Sequence, residues 1–312
     1  MFAVQFGRFG GPEVLHLGVA DAPQPQTGQI RIRVRAAGVS PADIGLRSGR
    51  TPMSARLHLP HIPGVDAAGV VDEIGDGVDG VVVGDHVFGV VDLAKLGGAS
   101  AEFAVLQLWA QKPAAMPWSQ AGAAGSSVET ATRALDLLEL QPGMTLLVDG
   151  AAGGVGSVAV QLAAARGIRV IGTARAGNHD FLTQLGATPI TYGPGLATRI
   201  SALGAARVDR ALDIAGAGSL TELLELTGGP AAVVTLADFT APEHGVRLSM
   251  GQLAGEPDGR YGLCAAAELF IQGRFTVPIE AVFPFQKAAD AHETVEHGSR
   301  RGKIVLSVDD AH

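Results

Sequence analysis

Apolar and polar positions along this chain follow two different rhythms. In the first third, Ile30, Ile32 and Val34 alternate with Arg31, Arg33 and Arg35, the period of a strand with one buried and one wet face. With the short apolar runs 67–74 and 86–91, bounded by Gly, Pro and Asp, this predicts a β-rich unit. Around Pro117 the texture changes. Helical patterns over 128–140, 155–166, 179–185 and 220–226 then alternate with apolar strands over 146–148, 169–173, 208–214 and 231–237, which predicts an α/β unit with a parallel sheet covered by helices. Beyond Pro257 come a helix through Leu269, an extended segment 275–285, a helix 286–297 and a last strand 302–308. A lone final strand needs a sheet, and its economical place is the N-terminal β-rich unit. The expected domains are 116–258 and a discontinuous unit of 1–115 and 259–312.

At 312 residues the chain is long enough for two such cores. A net charge of −8 with 17% charged residues and no basic stripe argues against a nucleic-acid partner. The single cysteine, Cys264, leaves no disulfide framework and suits a reducing compartment. Residues 1–8 lack a basic stretch leading into an apolar core, and the Ala-rich runs 121–124 and 158–165 are interrupted by polar residues. A cytoplasmic protein without a membrane partner is therefore expected.

Candidate chemistry concentrates in the run from Leu146 to Ala163, where a glycine-rich turn joins an apolar strand to a helix. Ala151 supplies the small first position, with Ala152 beside it; Gly153 lets backbone approach a pyrophosphate, and Gly156 lets the helix pack on the strand. The N–H groups of Gly154, Val155 and Gly156 then face the phosphates, where the helix dipole favours negative charge. This is the signature of a Rossmann-type doubly wound fold. The next strand ends at Arg175, 24 residues beyond Ala151, where an acid would grip an adenosine 2′-hydroxyl. Arg175, Asn178 and His179 stand there instead, which favours NADPH over NADH; the alternative is a solvated strand-end arginine.

Several further stretches, in order, carry a resemblance: 37–43 (Ala-Gly-Val-Ser-Pro-Ala-Asp) with Arg47 and Gly49, 62–71 (Ile-Pro-Gly-Val-Asp-Ala-Ala-Gly-Val-Val), 84–87, the glycine turn, 185–187 and 301–306. Together they resemble the medium-chain dehydrogenase/reductase superfamily, in its zinc-independent quinone oxidoreductase, or zeta-crystallin-like, branch. The resemblance implies a GroES-like β-rich catalytic domain completed by the C-terminus beside the Rossmann domain. Zinc-dependent relatives carry Cys at the position of Ser40 and Gly-His-Glu at Gly64-Val65-Asp66, and a four-cysteine lobe absent between Val87 and Glu102. No metal is expected.

The implied activity is hydride transfer from NADPH to a small-molecule quinone or activated α,β-unsaturated carbonyl. The alternatives are an enoyl-thioester reductase of lipid or polyketide metabolism and a non-catalytic NADPH-binding protein. The branch usually has Asn where this chain has Ser40; Ser40 is a candidate hydrogen-bond donor to the acceptor oxygen, Asp43 a proton relay or turn organiser, and Arg47 a stabiliser of negative charge or a partner of Asp43. The resemblance also puts Thr130 near the nicotinamide, Tyr192 on the adenosine side, and Ala215, Gly216, Leu236 and Ala237 along the cofactor. It implies a homodimer, with 246–250 as an edge strand.

Overall fold

The computed structural model describes residues 1–204, 207–297 and 301–308. The chain forms two compact units, Met1–Ser127 with Leu263–His312, and Val128–Gly262. In the first, β1 (Phe2–Gln5) and β2 (His16–Val19) form an antiparallel pair. There follow β3 (Ile30–Val39), α1 (Pro41–Ser48), β4 (Asp66–Ile74), β5 (His86–Val91) and β6 (Phe103–Gln111). β3 to β6 pair antiparallel in order and β6 returns to β3, so the four strands close on themselves.

The alternation in β3 has the expected consequence. Ile30, Ile32 and Val34 are buried, while Arg31 turns to Asp72 (2.9 Å) and Glu73 (2.7 Å) on the neighbouring strand. From Ala36 to Val39 every residue is buried, and the alternation ends. The reason is α2 (Trp118–Leu137), which starts ten residues before its apolar period becomes visible. Residues 121–127 of its first turns are Gly, Ala and Ser, too small to produce a hydrophobic stripe but small enough for close packing. A Cβ on Gly122 would stand 2.6 Å from that of Ala36, and one on Gly125 would collide with the carbonyl oxygen of Gly89.

The second unit contains β7 (Thr145–Asp149), α3 (Gly154–Ala165), β8 (Arg169–Ala174), α4 (His179–Gln184), β9 (Ala187–Thr191) and α5 (Leu196–Ala202). It continues with β10 (Arg210–Asp213), α6 (Leu220–Thr227), β11 (Val233–Thr235) and β12 (Arg247–Leu248). All pairs are parallel, in the order β12-β11-β10-β7-β8-β9. The chain starts at the centre, winds to one edge, then restarts on the other side of β7. That reversal leaves a crevice beyond the carboxyl ends of β7 and β10, where doubly wound sheets bind ligands.

The C-terminal part supplies α7 (Tyr261–Ile271), β13 (Ile279–Pro284), α8 (Ala288–His297) and β14 (Lys303–Ser307). β14 pairs antiparallel with β3, completing the N-terminal sheet as its isolation in sequence required, and β13 pairs parallel with β14. Phe285, Ala288, Ala291 and Val295 enter the same core as Ile32 and Leu106. The extended segment expected over 275–285 is a strand only over Ile279–Pro284. No helix among the described residues is long and apolar enough to cross a membrane.

Replacing Gly125 by Val is expected to lower the stability of the folded protein by about 3 kcal/mol or to block folding, because the helix must retreat from β5. Gly7, with open space around it, accepts Ala at little cost. Urea unfolding of the two variants checks this; equal midpoints would show that the close approach does not matter.

Candidate functional site

Four of the parallel strands end, at their carboxyl side, in or next to a buried Asp or Thr: Asp149 on β7, Thr173 on β8, Asp213 on β10 and Thr235 on β11. These side chains tie the following loops together. Asp149 accepts from the hydroxyls of Thr173 and Ser219, the latter at 2.5 Å. Thr173 in turn accepts from Gly150 N–H at 3.0 Å. Asp213 accepts from Gly216 N–H (2.9 Å) and Thr235 O–H (2.8 Å), while Thr235 accepts from the N–H groups of Ala237 and Asp238. Burial pushes the Asp213 carboxyl above its ordinary range, those two donors oppose the rise, and the nearby Asp149 carboxylate adds to it. Sequence reasoning missed this row; its trace was the Asp or Thr that closes successive apolar strand runs.

Within that frame the glycine turn takes its shape. The left-handed residue is Gly150 (φ +86°), one position before Ala151, which was expected to make the tight first turn. Ala151 is fully buried instead and lies against Gly172, whose Cβ would stand 2.8 Å from its own. Gly156 packs as expected: a Cβ there would stand 2.8 Å from Ala151 Cα. Gly153 faces open space, its nearest neighbour being Gly150 O at 3.5 Å. Ala152 is buried, and Gly153, Gly154 and Val155 are half-buried at the start of α3. The first-turn N–H groups of a helix have no intrahelical partner, and this first turn carries no acidic side chain. It can receive a phosphate diester.

Arg175 follows β8 directly, is exposed, and its guanidinium has no hydrogen bond or ion pair among the described residues. Asn178 closes the next turn by donating its N–H to Arg175 O at 2.8 Å. His179 opens α4 with a buried Nε2 that has no partner. The Arg175 guanidinium is thus left with unspent donors at the end of β8. Tyr192, half exposed, stands just beyond neighbouring β9. After β10 and β11, Gly216 and Ala237 touch: a Cβ on Gly216 (φ +56°) would stand 2.8 Å from that of Ala237. Ala215 likewise lies against Gly150, and Leu236 N–H bonds Asp213 O at 2.8 Å. One crest thus carries all of these residues. Thr130 belongs to a different cluster, in which its hydroxyl donates to Glu129 (3.1 Å) and accepts from Arg133 (3.3 Å). Arg133 also pairs with Glu129 and Glu256, anchoring the segment after β12 on α2.

In the first unit, Ser40 caps α1 and Asp43 lies in its first turn. Asp43, 1% exposed, accepts from Ser40 N–H and Ser40 O–H, both at 2.8 Å, and from Gly64 N–H at 3.0 Å. Burial raises its proton affinity, these donors lower it, and the positive charge of Lys303 lowers it further. Lys303 is itself buried and pairs with Asp66 at 2.8 Å. Ser126 N–H donates to the other Asp66 oxygen. Neither Asp66 nor Lys303 was a sequence candidate.

Arg47 corrects an expectation. Its guanidinium is 0% exposed, pairs with Glu296 at 2.9 Å and donates to Gly10 O, so it neither reaches Asp43 nor faces a substrate. Beside it, His292 is buried, and burial followed by the Arg47 charge depresses its pKa to about 3. Among the described residues no group of three or more His, Cys, Asp or Glu could hold a metal ion.

Comparison with known proteins places this geometry in company. Residues 26–114 match the Alcohol dehydrogenase GroES-like domain and residues 185–306 the Zinc-binding dehydrogenase domain. The quinone oxidoreductase of Rattus norvegicus is 30% identical over 326 residues, covering 98% of this chain and 97% of that one. The solved quinone oxidoreductase of Coxiella burnetii is 30% identical with a TM-score of 0.84, covering 99% of each chain. That of Escherichia coli, complexed with NADPH, is 25% identical with a TM-score of 0.79, covering 99% of this chain and 100% of its own.

His292 predicts an acid weakness. The unfolded chain binds a proton here near pH 6.5, whereas the folded chain resists it until about pH 3. Stability is therefore complete above pH 6.5 and falls below it by about 1.4 kcal/mol per pH unit for this group. Between pH 6.5 and 4, His292→Gln is expected to lose roughly 2–3 kcal/mol less stability than the native chain. Urea titrations across that interval check the slope; parallel slopes would remove His292 from the acid response.

Proposed function

The chain belongs to the quinone oxidoreductases of the medium-chain dehydrogenase/reductase superfamily, and from that premise we propose that it is a zinc-independent reductase using NADPH to reduce a quinone or an activated α,β-unsaturated carbonyl. The end of β8 carries the cofactor choice: an exposed, unpaired Arg175 stands where a carboxylate would repel a 2′-phosphate. The E. coli relative solved with NADPH supports the same choice. Gly153 and the first turn of α3 would hold the pyrophosphate, and Asn178 and His179 offer further donors near the phosphate. Tyr192, Ala215, Gly216, Leu236 and Ala237 would border the rest of the dinucleotide, with Thr130 on the nicotinamide side.

A bound reduced nicotinamide supplies two electrons and one hydrogen as hydride, leaving the reduced acceptor one proton short. On this reading Ser40 and Asp43 deliver it. With Asp43 protonated, its O–H donates to Ser40 Oγ across the same 2.8 Å contact, and the Ser40 hydroxyl is freed to donate to the acceptor oxygen. The Ser40 O–H bond breaks as the acceptor O–H forms; Asp43 reprotonates Ser40, and water reprotonates Asp43. Ser40 and Val65 occupy the positions of the zinc-binding Cys and His of related alcohol dehydrogenases. An oxygen donor and an aliphatic side chain make a poor zinc pair, and an electron-poor acceptor needs no Lewis acid. The edge strand β12, only two residues long, offers unpaired backbone groups through which two copies could form the homodimer.

For Arg175→Ala, NADPH affinity is expected to fall about 10–100-fold, the loss of roughly 1.5–3 kcal/mol of charge-assisted hydrogen bonding. NADH, without the phosphate, should bind as before. Gly153→Val should instead weaken both, since its side chain would fill open space over the turn without straining the fold. Fluorescence titration of both cofactors separates the cases; equal losses on Arg175→Ala would make it a structural residue. Chelating agents should leave NADPH oxidation unchanged in a screen of quinones, enones and enoyl-thioesters. Turnover confined to thioesters, or lost on zinc removal, would overturn the acceptor or the metal assignment respectively.

A further inference from the structure

The buried pair Asp66–Lys303 has no part in the steps above, yet it lies in the same unit as Asp43, whose carboxylate the Lys303 charge favours. The two residues belong to strands on either side of β3: Gly38 of β3 is registered with Asp66, and the adjacent Val39 with Ile304, next to Lys303. Gly38 has no side chain, and a Cβ there would stand 3.0 Å from Asp66 Oδ2. Lys303 thus reaches across β3 at its glycine, two residues before Ser40. Asp66 is 0% exposed and Lys303 7%. Burying two charges is expensive, and an apolar pair of similar shape often stabilises a fold as well. A structural strut therefore does not require this chemistry.

We propose that Asp66 and Lys303 are a positioning pair for proton delivery: Asp66 neutralises the ammonium of Lys303, so that Asp43 can carry the proton it passes to Ser40. This rests on the reductase reading above. The groups facing the Asp43 carboxyl are Ser40 of its own cap, Gly64 N–H from the loop before β4, and the charge of Lys303 on β14. Of these, only Lys303 is ionic, so the field at Asp43 depends on how completely Asp66 balances it. An uncompensated charge close to a carboxyl moves its titration by about one to three pH units.

Substitutions on the two sides of the pair should therefore act in opposite directions. In the full-length protein without acceptor, the infrared band of the protonated Asp43 carboxyl is followed against pH and assigned by its loss in Asp43→Asn. Asp66→Asn leaves Lys303 unbalanced and should move the titration lower by about one pH unit or more. Lys303→Met leaves Asp66 unbalanced and should move it higher. Lys303→Arg, and the neutral double variant Asp66→Asn with Lys303→Met, should stay near the native value. The pH profile of kcat/KM for quinone reduction should move with the band in each case.

Should Asp66→Asn not fold, the contrast between Lys303→Met and Lys303→Arg carries the test. An unmoved band, or shifts of the same sign in both single variants, overturns the proposal and leaves the pair a strut. Opposite shifts in a protein that reduces no acceptor would keep the coupling and refute the reductase reading.

Discussion

Backbone meeting backbone with no Cβ between them is the constraint on which both units depend. In the second unit, Gly156 brings the start of α3 down onto the turn after β7, and this closeness aims the free N–H groups of its first turn outward together. In the first, Gly122 and Gly125 let α2 settle on β3 and β5, and Gly38 leaves the passage over which Lys303 meets Asp66. At Gly122, Gly125 and Gly156 a methyl group would have to displace backbone; at Gly38 it would press on Asp66 Oδ2 and Gly122 O. These glycines hold geometry that cannot relax cheaply.

Buried charge is treated differently in different places. Asp149, Asp213 and Asp43 each receive donors from neighbouring hydroxyls or backbone, which spend their lone pairs on fixing loops. Arg47 and Glu296 pair with one another, leaving His292 neutral beside them. Asp66 and Lys303 pair across a strand. At the end of β8 the Arg175 guanidinium is exposed and without a hydrogen-bond or ion-pair partner among the described residues.

The two halves of the proposed chemistry differ in rigidity for related reasons. The dinucleotide crest is built from loops held to one another through Asp149, Thr173, Asp213 and Thr235, so its spacing is set by the sheet. The proton path is short, local to a helix cap, and governed by electrostatics instead of reach. On the proposal above, a change of one buried charge there would alter which protonation state Asp43 adopts.

The sequence by itself determined the period of β3 and of most elements of the α/β unit, its doubly wound parallel sheet, the return of the last strand to the N-terminal β-rich unit, and the glycine turn with Arg175 beyond it. These are local: the residues that carry each signal lie within one element or one turn of it. It fell short where meaning comes from contact. The start of α2 was invisible because Gly and Ala carry no apolar period, and β6, covered along most of its length, lacks a clean alternation. The left-handed residue proved to be Gly150, since a turn's conformation depends on what packs beneath it. Arg47 reads as a cleft cation until the fold brings Glu296 to it from 249 positions away, and Asp66 and Lys303, separated by 237, become a pair only once β14 is laid beside β3. A sequence states which charges a chain owns; only tertiary structure decides which of them face one another, because their energies depend on distance and burial.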